Sequence, residues 1–203
     1  MSGKMRTFAG ESTIDAIKMI YLNDHIYDFD LETALGELSE QRRQQALRYR
    51  HELGQRTCVA AYLLLRQGLR EEYDIEEPPV FEYGEHGKPW IVGHPEIHFN
   101  MSHCKEAAIC ILSTKPVGID VESVGRCRES LIRYTMNDEE ARMIAEAEKP
   151  EVAFTQLWTM KEAVVKRSGL GIRNDMKNVL KNLSSKLTTV VSLDERYVYS
   201  ICE

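Results

Sequence analysis

The feature that most constrains the fold is a faint internal repeat. Its three pairs of segments are IKMIYL (17–22) with VGIDVE (117–122), LSEQRRQQAL (38–47) with MNDEEARMIA (136–145), and AAYLLLRQGL (60–69) with KEAVVKRSGL (161–170). The offsets are 100, 98 and 101 residues. A near-constant offset predicts two similar halves in one chain, although unrelated amphipathic helices can also look alike by chance.

The paired segments have the patterns of a strand, a helix and a second helix. Ser39 and Asn137 are suitable N-caps for the first helices, and the second helices both end in Arg-x-Gly-Leu, with Gly68 or Gly169 as a suitable C-cap. Longer helices are expected over 55–73 and 151–168. Further strands are expected at 80–83, 97–101, 107–112, 187–193 and 197–202, and GEHGKPW (84–90) has the composition of a turn.

These elements predict an α/β (α+β) fold made of two similar subdomains, 1–115 and 116–203, related by pseudo-twofold symmetry. A ligand is then expected in the cleft between the halves. Such a chain already contains its own pseudo-dimer interface, so we expect a monomer.

The composition indicates the cellular compartment of the protein and whether it contacts a membrane. The longest apolar run, at 58–65, has eight residues, whereas a membrane span needs roughly 20. The N-terminus lacks the apolar core of a signal peptide, and the five cysteines form no CxxC pair. We therefore expect a reduced, cytoplasmic protein without membrane contact.

The formal net charge is -6, but one stretch is basic. Five arginines accompany a single glutamate, Glu52: Arg42, Arg43, Arg48, Arg50 and Arg56. A local cationic stretch in an acidic chain favours a focused anion site over a nucleic-acid surface. The alternative is a solvated helix face.

Two segments carry acidic side chains in a suggestive pattern. In the predicted strand GIDVE, Asp120 and Glu122 share one face, and a hard cation such as Mg²⁺ would relieve their repulsion. In WTMKEAVVK, Glu162 and Lys166 lie one helical turn apart and line one stripe with Trp158. Exposed acids at a strand end, and a surface Glu–Lys pair beside a core Trp, are the alternatives.

A third segment, HFNMSHCKEA (98–107), places Ser102 and His103 at a strand end. Adjacent side chains usually point apart, so they do not form a catalytic dyad. Their hydroxyl and imidazole can instead bind a phosphate, or the segment is a structural turn. Cys104 has no base beside it in the sequence that would make it a nucleophile.

In this order, four segments resemble the signature blocks of the phosphopantetheinyl transferases: GKPW (87–90), FNMSH (99–103), GIDVE (118–122) and WTMKEAVVKRSGLG (158–171). The two-half organisation resembles the monomeric type that activates surfactin synthetase. The resemblance implies the phosphopantetheinyl transferase fold. It also implies that the protein transfers phosphopantetheine from coenzyme A to a serine of an apo acyl or peptidyl carrier protein and releases 3′,5′-ADP. The carriers of fatty-acid, polyketide and nonribosomal-peptide biosynthesis, and a lysine-pathway carrier, all remain candidates.

The resemblance also implies residue roles. Asp120, Glu122 and Glu162 would hold Mg²⁺, or Mn²⁺ in its place, Glu162 would help deprotonate the serine, and Lys166 would stabilise the phosphate. Ser102, His103, Lys88 and Arg56 match positions that contact coenzyme A, whereas Arg43 and Arg48 lie in a stretch whose alignment is not fixed.

The chain departs from the family pattern at Cys104, where a small polar residue is common. Residues 124–134 follow the predicted strand that carries Asp120 and Glu122, at the place where the family presents a flap to the carrier protein. The alternative is a covering loop. Two other functions fit the same residues: a non-catalytic module that binds coenzyme A or a nucleotide, and a different metal-dependent phosphotransferase.

Overall fold

The computed structural model describes residues 4–5, 18–125, 127–171, 175–181 and 183–203. Ile17 of the first repeat segment and Arg126 of the predicted flap lie outside these ranges. The described residues form three antiparallel sheets and six α-helices, so the predicted mixed α/β class is confirmed.

The first sheet has the order β1 (Lys4–Met5), β2 (Lys18–Asn23), β6 (Ala108–Ser113), β5 (His98–His103). The long helix α3 (Glu52–Tyr73) packs on this sheet with a face of small and apolar side chains. Two short helices, α1 (Leu31–Gly36) and α2 (Glu40–Leu47), precede it, and Ser39 caps α2 as predicted. The turn predicted at 84–90 is confirmed as the link of a separate hairpin, β3 (Phe81–Tyr83) with β4 (Pro89–Ile91).

The predicted C-cap at Gly68 is wrong. Helix α3 continues to Tyr73 and ends at Asp74, which has the left-handed φ of 56°. Gly68 lies inside the helix and is buried. A Cβ there would overlap the side chain of Leu112 and lie 2.8 Å from Tyr21. The glycine is therefore needed for close packing of α3 on the sheet rather than for ending the helix.

The second half is built around the sheet β7 (Gly118–Ser123), β9 (Tyr197–Cys202), β8 (Leu187–Val191). Helix α6 (Pro150–Ser168) packs on this sheet and ends at Gly169 with φ 66°, which confirms that predicted cap. Before it come α4 (Glu129–Thr135) and α5 (Asp138–Glu146), and Asn137 forms a capping box with Glu140.

One buried lysine joins the helices of the second half. Lys161 on α6 is fully buried, and its ammonium donates to Glu140 Oε2 at 2.7 Å, to the Thr135 carbonyl at 3.1 Å and to the Met176 carbonyl at 2.7 Å. These partners lie on α5, at the end of α4 and in a short 3₁₀ helix (Met176–Asn178). A buried ammonium needs such a full set of partners to offset its desolvation.

The orders β2-β6-β5 and β7-β9-β8 are alike in that the third strand along the chain lies between the first and the second, although β1 extends only the first sheet. The two sheets meet along β5 and β7, where the Asn100 side-chain oxygen accepts a hydrogen bond from the Ile119 amide at 3.0 Å. The pseudo-twofold relation and the boundary at residue 115 stay predictions. No helix in the described ranges is both long and apolar enough to span a bilayer.

Candidate active site

Close contact between β7 and α6 creates the site. Gly118 begins β7, and a Cβ at this position would overlap the carbonyl oxygen of Ala163 and lie 2.5 Å from the amide nitrogen of Arg167. Only a glycine permits this approach of the helix backbone to the strand. The approach brings Asp120 of the strand and Lys166 of the helix together.

Asp120, Lys166 and Ser102 form one hydrogen-bonded group. The Lys166 ammonium lies 2.6 Å from Asp120 Oδ1 and donates to Ser102 Oγ at 2.9 Å. The Ser102 hydroxyl in turn donates to Asp120 Oδ1 at 2.9 Å. Because Ser102 lies on β5, Asp120 on β7 and Lys166 on α6, the group spans the contact between the two larger sheets.

Glu122, two residues beyond Asp120 on the strand, accepts a hydrogen bond of 3.4 Å from the indole of Trp158. Burial and the nearby charge of Asp120 raise the pKa of Glu122 to about 7, against the weaker opposing effects of Trp158 and Lys166. The Trp158 ring stacks on Phe154, with an interplanar angle of 8°. This tryptophan therefore serves both the core and the carboxylate site.

Glu162 completes the acidic cluster. Burial and the charge of Asp120 raise its pKa, and Lys166 opposes the rise. Two oxygens, Glu162 Oε1 and Asp120 Oδ2, are buried without a hydrogen-bond partner among the described residues. Buried carboxylate oxygens without partners are costly, and a hard cation is a ligand that would satisfy them.

The carboxylates are not arranged as a ready-made metal centre. Within the described ranges, no group of three or more His, Cys, Asp and Glu side chains converges closely enough to hold a metal ion. The ammonium of Lys166 instead provides the positive charge beside Asp120. The donor set nevertheless fits Mg²⁺, because it consists of carboxylate oxygens, two of which lack partners.

His103 faces a cavity of about 210 Å³ in the first half, beside β5. Burial, together with the charges of Arg42 and Lys166, lowers its pKa to about 4. Its ring also meets the edge of Tyr49, with 6.0 Å between ring centroids. The imidazole is therefore neutral near pH 7 in this state of the protein.

Arg42 lines the same cavity; the sequence placed it in the basic stretch but did not single it out as a contact of coenzyme A. It is buried, lies over the ring of Tyr62, and donates to Gln45 at 2.8 Å and to the Cys58 carbonyl at 3.4 Å. Its Nε lacks a partner among the described residues. The four-residue spacing of Arg42 and Ala46 places both on one face of the helix, and the structure buries that face, but the sequence alone does not distinguish Arg42 from the neighbouring arginines.

The predicted arginines have different surroundings. Arg56 donates to Glu52 at 2.7 Å and to the Phe29 carbonyl at 2.8 Å, and lies over the ring of Tyr27. Arg43 and Arg48 are exposed, the first on α2 and the second as its C-cap. No contact within the described residues joins these three arginines to the carboxylate cluster.

Lys88 has an unexpected set of partners. Its ammonium donates to the carbonyls of Val117 at 3.2 Å, Lys166 at 2.8 Å and Arg167 at 2.9 Å. These carbonyls precede β7 and lie in the last turn of α6. The contact of Lys88 with coenzyme A stays a prediction; in this structure all three of its N–H donors bind backbone carbonyls.

Comparisons with known proteins show which sequences this chain is similar to. A family model described as the 4′-phosphopantetheinyl transferase superfamily matches residues 116–202, which include β7 and α6. The transferase psf-1 of Bacillus pumilus is 28% identical over 93% of this chain and 88% of its own length. The transferase Sfp of Bacillus subtilis is 26% identical over 75% of this chain and 70% of its own.

Another relative has a higher sequence identity to this chain over a shorter stretch. The 4′-phosphopantetheinyl transferase AcpT of Salmonella typhi is 39% identical over 99 residues, which make up 45% of this chain and 50% of its own. The matches confirm the resemblance that the four sequence blocks indicated. Residues 116–202 therefore match the 4′-phosphopantetheinyl transferase superfamily, and the chain is similar over most of its length to transferases of the Sfp type.

Proposed function

We propose that this protein transfers the phosphopantetheine group of coenzyme A to a serine hydroxyl of an apo acyl or peptidyl carrier protein. The observation that carries the proposal is the group formed by Asp120, Lys166 and Ser102 at the junction of the halves, with Glu122 and Glu162 beside it. It combines a cation with acids of raised pKa. Phosphoryl transfer depends chiefly on such positioning and charge neutralisation.

In the proposed reaction, the serine oxygen attacks the pyrophosphate phosphorus that carries the pantetheine arm. A new P–O bond forms, the bond to the bridging oxygen breaks, and 3′,5′-ADP leaves. Glu162 accepts the serine proton, directly or through water. Its raised pKa suits this role, because a general base works best when its pKa is near the working pH.

Asp120, Glu122 and Glu162 would hold Mg²⁺, or Mn²⁺ in its place. The two partnerless oxygens of Asp120 and Glu162 support this assignment. The ion, when bound, would neutralise charge on the pyrophosphate. Lys166 would move its donors from Asp120 to the phosphate and stabilise the charge that develops on the leaving group.

For coenzyme A itself, we assign the strongest contacts to Ser102 and His103 and add Arg42. His103 and Arg42 face one cavity, and a buried guanidinium with a free donor suits a phosphate group. Arg56, Arg43 and Arg48 stay candidates on sequence grounds alone. A phosphate beside His103 would favour the charged imidazole and so raise its pKa from about 4.

The carrier protein would dock beside α4, which forms much of the predicted flap. This helix exposes Tyr134 and Leu131, and Arg133 is exposed on the same helix. An apolar patch next to an arginine, here Arg133 in an exposed pair with Glu129, suits an acidic amphipathic helix. We further propose that the protein acts as a cytoplasmic monomer, without nucleic-acid or membrane partners.

The test is the intact mass of a panel of apo carriers, of fatty-acid, polyketide and nonribosomal-peptide types, after incubation with coenzyme A and Mg²⁺. A gain equal to phosphopantetheine on any carrier supports the proposal. Binding of coenzyme A without a gain on any carrier would indicate a non-catalytic binding module. Release of phosphate from coenzyme A without a carrier would indicate a different phosphotransferase.

A further inference from the structure

Lys88 connects the hairpin of the first half to the catalytic elements of the second. It lies between β3 and β4, and 78 residues separate it from Lys166, whose carbonyl it binds at 2.8 Å. The aliphatic part of its side chain is also in contact, because a Cβ at Gly169 would lie 3.0 Å from Lys88 Cδ. The lysine therefore reaches across the junction and packs at the C-terminal end of α6.

The three carbonyls that Lys88 binds have a specific position in the site. The last carbonyls of a helix lack intrahelical partners, and a cation there also interacts favourably with the helix dipole. Two partners, Lys166 and Arg167, are such carbonyls, while Val117 directly precedes Gly118. One ammonium thus joins β7 to α6 at the point where Gly118 allows their backbones to touch.

The same contacts limit what else Lys88 can bind. An ammonium has three donors, and here each meets a carbonyl, so a phosphate would have to replace at least one of these bonds. Burial and the charge of Arg167 lower the pKa of Lys88 to about 8, which leaves it mainly protonated near neutral pH. The geometry is that of a structural contact rather than of a side chain held free for a ligand.

We propose that Lys88 is a positioning residue, which holds the last turn of α6 against β7 and thereby orients the Lys166 side chain toward Asp120 and Ser102. This inference rests on the proposed function, in which Lys166 acts on the phosphate. It assigns the first half a role in aligning the catalytic residues of the second.

The experiment compares Lys88→Met, which keeps most of the apolar side chain but removes its donors, with Lys88→Arg and with Lys115→Met, a change at an exposed lysine. Two activity-related quantities are measured: kcat for carrier modification, and the Kd for coenzyme A by calorimetry. Hydrogen exchange at the amides of 163–169 provides a readout that does not depend on turnover.

For Lys88→Met we expect kcat to fall about 10- to 100-fold, as a displaced catalytic group can cause, with the Kd for coenzyme A unchanged within about twofold. Exchange at 163–169 should rise while exchange in α3 stays as in the wild type. Lys88→Arg should recover much of kcat, because a guanidinium also donates to carbonyls. Lys115→Met should match the wild type.

The opposite pattern in Lys88→Met overturns the inference. In that case the Kd for coenzyme A rises about 10-fold while kcat and hydrogen exchange stay unchanged, as expected when a phosphate contact is lost. If Lys88→Met does not fold, Lys88→Gln replaces it, with a smaller loss of kcat and the same unchanged Kd. If the wild type modifies no carrier, the proposed function fails, and unchanged hydrogen exchange in the variant would separately overturn the role of Lys88.

Discussion

The ammonium of Lys166 lies 2.6 Å from a carboxylate oxygen of Asp120, and the other oxygen of Asp120 is buried without a partner among the described residues. The lysine thus satisfies only half of this carboxylate. Lys166 and a metal ion would both be attracted to Asp120, so the structure predicts that the two compete for its charge.

Lys166→Met tests this competition. Removing the ammonium deprives three neighbouring carboxylates of their cation, so Mn²⁺ should bind about 10-fold more tightly, while kcat falls about 10²–10³-fold. Calorimetry or paramagnetic resonance measures the Kd for Mn²⁺, and Lys105→Met, at an exposed lysine, is the control. Weaker Mn²⁺ binding in Lys166→Met would contradict competition and indicate that the lysine helps to shape the site.

The raised pKa of Glu122 predicts a pH-dependent stability difference. Glu122 binds its proton more tightly in the folded protein, with a pKa of about 7, than in the unfolded chain, where the value is 4.5. Ionised Glu122 therefore destabilises the metal-free fold above pH 7, and this penalty disappears as the pH falls from 7 toward 4.5. Glu122→Gln should raise the Tm of metal-free protein at pH 8.

The comparison needs both ends of the pH range. The Tm advantage of Glu122→Gln over the wild type should be nearly constant from pH 8 to pH 7 and then shrink toward pH 5. His103 contributes the opposite pH dependence, but equally in both proteins, so it cancels in the difference. An advantage that is constant with pH would show that Glu122 has an ordinary pKa. Added Mg²⁺ should reverse the order at pH 8, because only the wild type retains the full ligand set.

Gly118 predicts a sharp difference between two glycines of the same segment. Gly118→Ala places a methyl group against the backbone of α6 and should separate the helix from β7, which lowers both the Tm and kcat. Gly125→Ala meets no atom within 4 Å and is the matched control. Circular dichroism and the carrier assay measure the two effects. Equal behaviour of the variants would refute the close approach of helix and strand.

The buried pair of Lys161 and Glu140 predicts a large loss and a partial rescue. Lys161→Met leaves Glu140 charged and buried, which should cost about 3–5 kcal/mol of unfolding free energy. Adding Glu140→Gln removes that charge and should restore part of the loss, whereas Lys149→Met, at an exposed pair, should cost less than about 1 kcal/mol. Urea denaturation measures the wild type, these three variants and Glu140→Gln alone, and losses of the two single variants that add up in the double variant would contradict the pairing.

The sequence was sufficient for features that depend on local pattern. The alternation of GIDVE predicts that Asp120 and Glu122 share a face, and the caps at Ser39, Asn137 and Gly169 follow from local residue preferences. Gly68 shows the limit of such reasoning. Its Arg-x-Gly-Leu context is the same as that of Gly169, but Gly68 packs against Leu112, which is distant in the sequence, and the helix continues past it to Tyr73.

Long-range partners were beyond the reach of the sequence. The three carbonyls around Lys88 and those around Lys161 belong to segments that only the folded chain brings together, and a backbone carbonyl has no signature in the residue letters. The family resemblance assigns Lys88 to coenzyme A from residue identity alone. Residue identity contains no information on packing, so it could not reveal the carbonyls that Lys88 binds.

The central claim is that Glu162 belongs to a metal-dependent group that transfers phosphopantetheine. The most direct measurement is the intact mass of an apo carrier incubated with coenzyme A, Mg²⁺ and either wild type, Glu162→Gln, or Glu151→Gln, an exposed change on the same helix. We predict the phosphopantetheine mass on the carrier with wild type and Glu151→Gln, and its loss with a folded Glu162→Gln. An undiminished mass gain with Glu162→Gln would contradict the account.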